Sequence, residues 1–214
     1  MDWFTSHLGR VWQLSLEHAY LAGVPLLIGL AIALPLGWAA KRYRWLGPPL
    51  IMTTGLLYTL PSLAVFILLP GILGTQILDP FNVLVAMTIY TVALLVRTVA
   101  DGLGAVPADV EMSATAMGYR PFALLLRVEL PLAIPVIAAG LRVAAVSNVS
   151  IVSVAALIGV EQLGSLFTDG FNRAFLAPIF TGIVACVLLA LVFDVIIMVV
   201  SKFLTPWTSA RSAS

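Results

Sequence analysis

Residues 19–40 carry no charged side chain and end at Lys41-Arg42-Tyr43-Arg44. At about 1.5 Å per helical residue, a run of that length crosses the ~30 Å hydrocarbon layer of a bilayer. Lipid offers no partner for a bare N–H or C=O, so a run like this reads as a membrane-spanning helix. Four more apolar stretches follow: 49–69 within an uncharged run from 45 to 78, then 81–100, 136–158 and 175–200. Charges enter these stretches sparingly, as Arg97, Arg142 and Asp194. The expected fold class is therefore all-α, a polytopic membrane protein with about five transmembrane helices. Composition agrees, since 61% of residues are hydrophobic, 10% are charged, and the mean hydropathy is +1.09. Too little polar material exists to cover a water-facing surface, so membrane lipid is the expected solvent.

The basic residues set an orientation. Lys41, Arg42 and Arg44 follow the first span, Arg97, Arg120, Arg127 and Arg142 surround the connection between spans three and four, and Lys202 and Arg211 follow span five. With five spans these places share one side, and only Arg10 and Arg173 fall on the other. The positive-inside rule then puts the N-terminus outside and the C-terminus in the cytoplasm of a multi-pass cell-membrane protein. Three parts are expected: an N-terminal segment 1–18, a permease domain 19–201, and a cytoplasmic tail 202–214. Residues 1–18 read either as an interfacial amphipathic helix with Trp3 and Trp12 at headgroup level or as a loose tail, and not as a cleaved signal. Arg97 and Asp194 read as charges near helix ends that snorkel towards the interface. Cys186 is the single cysteine, so no intrachain disulfide forms. A net charge of +1 argues for no nucleic-acid partner.

The long connection 101–135 is organised. Pro107-Ala108-Asp109 reads as a helix start with Asp109 as cap, and 110–117 as a short helix stopped by Gly118, since glycine takes a left-handed cap cheaply. Residues 122–130 read as a second short helix, after which Pro131 and Pro135 turn the chain back into the bilayer. Two short helices joined at a glycine and facing water form a docking element.

These residues resemble a known pattern. Glu111-Met112-Ser113-Ala114-Thr115-Ala116-Met117-Gly118, with Pro131 thirteen residues after the glycine in Val128-Glu129-Leu130-Pro131, is similar to the "EAA" loop of binding-protein-dependent ABC importer permeases. In that family Glu-Ala-Ala is followed by three residues, Gly, nine residues, Ile, one residue and Leu-Pro. The alignment puts Ser113 and Ala114 on the alanines and Val128 on the isoleucine. Met112 stands where the family has its glutamate, with Glu111 one position earlier. The resemblance spans about residues 19–201 and looks nearest to the permeases for glycine betaine, choline, carnitine or proline. Tyr58-Thr59-Leu60-Pro61-Ser62 and Leu157-Ile158-Gly159 with Leu163-Gly164 carry that likeness, and Glu161-Gln162 departs from it.

The resemblance implies a transmembrane subunit of an ATP-driven importer, paired with an identical or related permease and served by an external solute-binding protein. Its 101–135 loop would dock an ATP-binding subunit through Glu111, Ser113, Ala114, Gly118, Val128, Leu130 and Pro131. No Gly-x-x-x-x-Gly-Lys-Ser/Thr sequence occurs, so this chain is expected to be no enzyme and to hold no cofactor, with ATP-Mg on the partner ATPase. Candidates for the substrate path are Tyr58, Thr59 and Ser62 around Pro61, and Ser147, Asn148 and Ser150 in span four. Interhelical hydrogen bonding accounts for the second group equally well. Gly29, Ala33 and Gly37 form a small-residue face suited to helix packing. Tyr58 and Tyr90 are the only mid-span tyrosines, and no aromatic cage can be assembled from sequence. Two other readings stay open: a permease for a different small solute such as an amino acid, and a secondary transporter. The latter would call for intramembrane carboxylates at mid-depth, which are missing. His7 and His18 fall outside the expected spans, which leaves an intramembrane enzyme without a base.

Overall fold

The structure, a computed structural model, describes Phe4 and residues 6–207. Trp3, Arg211 and the tail from residue 208 lie outside the described residues. Helix α1 runs Leu8–Arg42, α2 Gly47–Tyr58, α3 Ser62–Leu73 and α4 Pro80–Gly104. The short α5 is Ala108–Ala116, and α6 is Pro121–Leu124, which passes through a π-helical turn at Leu125–Glu129 into α7, Leu130–Val152. A 3₁₀ turn at Ser153–Ile158, the short α8 at Ser165–Asn172 and α9 at Leu176–Leu204 complete the chain. Four helices are long and apolar enough to cross a membrane, or five if the bent pair α2–α3 counts as one span. Among the described residues there is no strand.

Helix α4 is the axis of the bundle. Asp79 caps it by accepting from the Phe81 N–H at 2.9 Å, and Pro80 fits the first turn, where its missing N–H costs nothing. Val83, Met87, Leu95, Val96, Val99 and Leu103 along α4 are all fully or nearly buried. Helix α1 packs along one side of α4 and α7 along another, while α9 lies outermost against α7. Only Pro178, Gly182 and Ile197 of α9 are buried, so most of its apolar surface is left for lipid.

The small-residue face of α1 does what its spacing predicts. Ala33 is 0% exposed, and a Cβ added to Gly29 or Gly37 would lie 2.5 Å from Thr91 Cγ2 or 2.6 Å from Val99 Cβ. At these points the α1 backbone approaches α4 as closely as only glycine allows.

Four expectations need correction. Residues 8–18, expected to be a separate segment, continue the first span as helix, and His18 is fully buried within it rather than outside. A straight second span over 49–69 does not form: α2 and α3 meet at 101° around residues 59–61. Pro61 has no N–H to give, and it pushes Leu60 away from helical backbone. Pro131 and Pro135 do not turn the chain, because Pro131 sits in the first turn of α7 and Pro135 is carried inside it. Just before them the π turn lets the Leu130 N–H reach back five residues to the Leu125 carbonyl, so 121–158 rises as one continuous run. Finally, Asp109 lies within the first turn of α5 and Pro107 occupies the cap position. There its charge still favours the positive end of the helix dipole.

Buried polar groups pin helices that are remote in sequence. Both ring nitrogens of His18 lie 2.9 Å from oxygens, Nδ1 from Gln162 Oε1 and Nε2 from the Val149 carbonyl. Gln162, fully buried, also accepts from the Gly164 N–H and donates to the Ser153 carbonyl at 3.2 Å. This knot fastens the 159–165 loop to α1 and α7. His18→Ala and Gln162→Ala should each lower stability by about 1–2 kcal/mol: each removes the buried bond between them, and Gln162→Ala also strands His18 Nδ1, whereas Gln162 Oε1 keeps the Gly164 N–H when His18 is lost. The double variant should be less destabilised than the sum, by a coupling of about 1 kcal/mol in a denaturation cycle of detergent-solubilised protein. A strictly additive pair would mean the two side chains act independently.

Candidate coupling loop and substrate path

Helix α5 ends in a Schellman motif. The Gly118 N–H donates to the Thr115 carbonyl at 3.0 Å and the Tyr119 N–H to Ala114 at 3.2 Å, with Gly118 at φ +89°. Ala114 is the one buried residue of α5. Ser113 is exposed, and Met112, Met117 and Phe122 stand 66%, 72% and 65% exposed around the tip. Of the C-terminal part of the motif, Val128 lies half-buried in the π turn, Leu130 packs against the core, and Pro131 is half-buried at the foot of α7. The loop thus has an inner anchor, Ala114, and an outer apolar surface left uncovered by the described residues.

Glu111 is committed within the chain. It accepts from Lys41 Nζ at 2.6 Å, and the same ammonium donates to Glu129 Oε1 at 3.0 Å. Neither Lys41 nor Glu129 is marked out by the sequence, where they lie 88 residues apart. Glu129 falls within the motif spacing, whereas no local signal joins Lys41 to a motif that begins 70 residues later, at Glu111.

At the other candidate site, α2 rises 12 residues, about 18 Å, before the break at 59–61, which is roughly half the hydrocarbon thickness. The carbonyl freed by Pro61, that of Leu57, accepts from the Leu60 N–H at 3.3 Å. The Leu60 carbonyl accepts from the Tyr90 hydroxyl at 2.7 Å. Tyr58 and Tyr90 meet edge to face with ring centroids 6.1 Å apart, so the two tyrosines come together after all. Tyr58 and Thr59 are exposed, Ser62 is half-buried, and the Thr59 hydroxyl is spent on the Leu56 carbonyl.

The second candidate group divides. Asn148 is buried and donates to the Ala22 carbonyl at 3.1 Å and to Thr91 Oγ1 at 2.9 Å, so it ties α7 to α1 and α4. Ser147 is half-buried and Ser150 is exposed on another side of α7, with its carbonyl accepting from Ser153. Asp194 forms a two-pronged pair with Arg142, at 2.5 and 2.9 Å, joining α9 to α7. Arg97 instead faces Asp101 one turn away at 3.6 Å.

The model of the family described as binding-protein-dependent transport system inner membrane component matches residues 26–210. The chain belongs to that family. This inner membrane component is a multi-pass permease that works with a separate ATP-binding subunit and a substrate-binding protein. Its relatives include the osmoprotectant import permease protein OsmW of Salmonella typhimurium, 30% identical over 210 residues and covering 96% of this chain and 97% of that one. The glycine betaine/carnitine/choline transport system permease protein OpuCD of Bacillus subtilis is 28% identical, covering 95% and 88%. Among solved structures, an inward-facing MetNI methionine ABC transporter superposes with a TM-score of 0.83 at 17% identity, covering 91% and 96%. At that identity the likeness speaks for the permease fold.

Proposed function

We propose that this inner membrane component forms the substrate path of an ATP-driven importer for a small osmoprotectant of the glycine betaine, choline, carnitine or proline kind. The observation that carries the coupling half of this reading is the Gly118-capped helix with Met112, Met117 and Phe122 uncovered at its tip. A flexible, apolar, methionine-rich tip suits insertion into a groove of the ATPase. In this reading the 101–135 loop faces the cytoplasm, the N-terminus lies outside, ATP-Mg sits on the partner, and a second permease completes the path. The bias of basic residues supports the orientation. Near-full-length likeness to osmoprotectant permeases supports the solute class.

The break between α2 and α3 supports a path through its vicinity. Interrupted helices near mid-depth are where transporters expose backbone and aromatic groups to solute. Quaternary ammonium groups favour tyrosine faces, and Tyr58 offers one at this break, with the buried Tyr90 packed behind it. Alternating access would open the site first to the binding protein and then to the cytoplasm.

The test is uptake by proteoliposomes holding the permease, its ATPase and its binding protein, with labelled glycine betaine and choline. Uptake that needs both ATP and binding protein supports the reading. Gradient-driven uptake without the ATPase would overturn it in favour of a secondary transporter, and uptake of an amino acid alone would move the solute class. Tyr58→Ala should lower kcat/KM for choline on the order of tenfold, the scale of one desolvated cation–π contact, and leave ATP hydrolysis by the complex unchanged.

A further inference from the structure

Helix α5 has few attachments to its own bundle. Ala114 is its single buried residue, and an open-sided cavity of about 790 Å³ runs alongside the helix, lined by Trp38, Lys41, Glu111, Met112, Tyr119 and Glu129 among others. Lys41 spans this space. It leaves the last turn of α1 and holds Glu111 in the first turn of α5 and Glu129 at the end of the π turn.

The two arms are unequal. The Glu111 side chain is 30% exposed, while that of Glu129 is 7% exposed and its Oε2 is buried without a hydrogen-bond partner among the described residues. A buried carboxylate with one unmatched oxygen depends on its remaining ion pair. The π turn, an uncommon conformation that recurs at functional sites, occupies the residues that end at Glu129. One ammonium therefore joins the docking helix, the foot of α1 and the foot of α7, three elements that must move together if motion of the loop is to reach the spans.

We propose that Lys41 is a positioning residue for energy coupling, transmitting displacement of α5 to α1 and α7 through its paired bonds to Glu111 and Glu129. This rests on the importer reading above. With Lys41 absent, α5 still presents Met112, Met117 and Phe122 to the ATPase, but its movement is taken up by the cavity. Arg42 lines the same cavity, is exposed, and forms no bond to either carboxylate.

The experiment measures ATP hydrolysis and solute uptake on the same proteoliposomes containing the full complex. Lys41→Met should co-purify with the ATPase and hydrolyse ATP within about twofold of wild type, while solute moved per ATP falls at least about fivefold. Lys41→Arg should restore more than about half of that ratio, since it keeps the charge and can reach both carboxylates. Glu111→Gln should lower the ratio less than Lys41→Met does, because it leaves the Glu129 arm in place. Arg42→Met should leave the ratio unchanged. A wild-type ratio in Lys41→Met would overturn the proposal. So would a proportional loss of hydrolysis, uptake and co-purification, which would assign Lys41 to holding the loop in shape for docking. If the wild-type complex itself shows no ATP-driven uptake, the importer reading fails and the coupling role of Lys41 falls with it, whereas a wild-type complex that transports confines any failure to Lys41.

Discussion

Gly118→Pro should reduce ATP-driven uptake by about a hundredfold or more, with the permease still inserted in the membrane. The φ of +89° at Gly118 is far from the −65° that a proline ring fixes, so the substitution cannot keep the turn. It also removes the N–H that donates to the Thr115 carbonyl, and it disrupts the companion bond from Tyr119 to Ala114. Both bonds hold the C-terminal end of α5. Gly118→Ala provides the graded comparison: a left-handed conformation in a non-glycine residue costs of order 1 kcal/mol or more, and the bonds can persist. Nothing lies within 4 Å of a Cβ at Gly118, so strain is the main cost and no clash is added. Uptake should therefore fall only severalfold in Gly118→Ala, about what 1 kcal/mol implies. Co-purification with the ATPase should be lost in the proline variant and kept in the alanine variant. If both variants transport as wild type does, the Gly118 turn is not part of coupling.

What the sequence discloses about this molecule follows from how local each feature is. The apolar runs disclose the long helices because crossing lipid requires about 20 consecutive residues without charge. The left-handed cap at Gly118 and the packing face at Gly29, Ala33 and Gly37 are legible because a single residue type or one helical spacing causes each. Pro61 is visible in the sequence, yet 49–69 reads as one span, because the 101° break depends on how α3 and Tyr90 pack around it. Ion pairs and knots are beyond local reading. His18 and Gln162 stand 144 residues apart, Lys41 and Glu129 88, and Arg142 and Asp194 52. Each pair exists because the bundle brings two helices or a helix and a loop together, and no periodicity encodes that. His18 shows the cost clearly. Beside Glu17, at the edge of an uncharged run, it reads as a boundary residue, yet the helix continues past it and packing buries it. Among the site candidates, Asn148 was legible as a polar group needing a partner, but Thr91 and the Ala22 carbonyl as those partners were not.

Replacing Gly29 and Gly37 together by leucine should abolish the folded permease. At Gly29 a new Cβ alone would lie 2.5 Å from Thr91 Cγ2, and at Gly37 it would lie 2.6 Å from Val99 Cβ and 3.0 Å from the Val96 carbonyl. Real side chains do not meet at such distances, so α1 must move off α4 or α4 must repack. Neither is cheap: Thr91 is tied to Asn148, Val99 is fully buried, and Ala33 is sealed between the two glycines. Overpacking a well-filled interior costs about 1–3 kcal/mol per site, and two sites on one seam add to a large part of a marginal stability. In lipid the loss weighs more than in water, because no hydrophobic force between helices makes up for poorer packing. Single alanines should be intermediate, each lowering the thermal midpoint of detergent-solubilised protein, and their effects should not simply add, since both act on the same helix pair. Gly71 in α3 is the control: nothing lies within 4 Å of a Cβ there, and alanine is a better helix former, so Gly71→Ala should leave the midpoint unchanged or raise it slightly. Measured by fluorescence-detected size exclusion after heating, wild-type behaviour of the double leucine variant would mean α1 and α4 do not pack as closely as their glycines require.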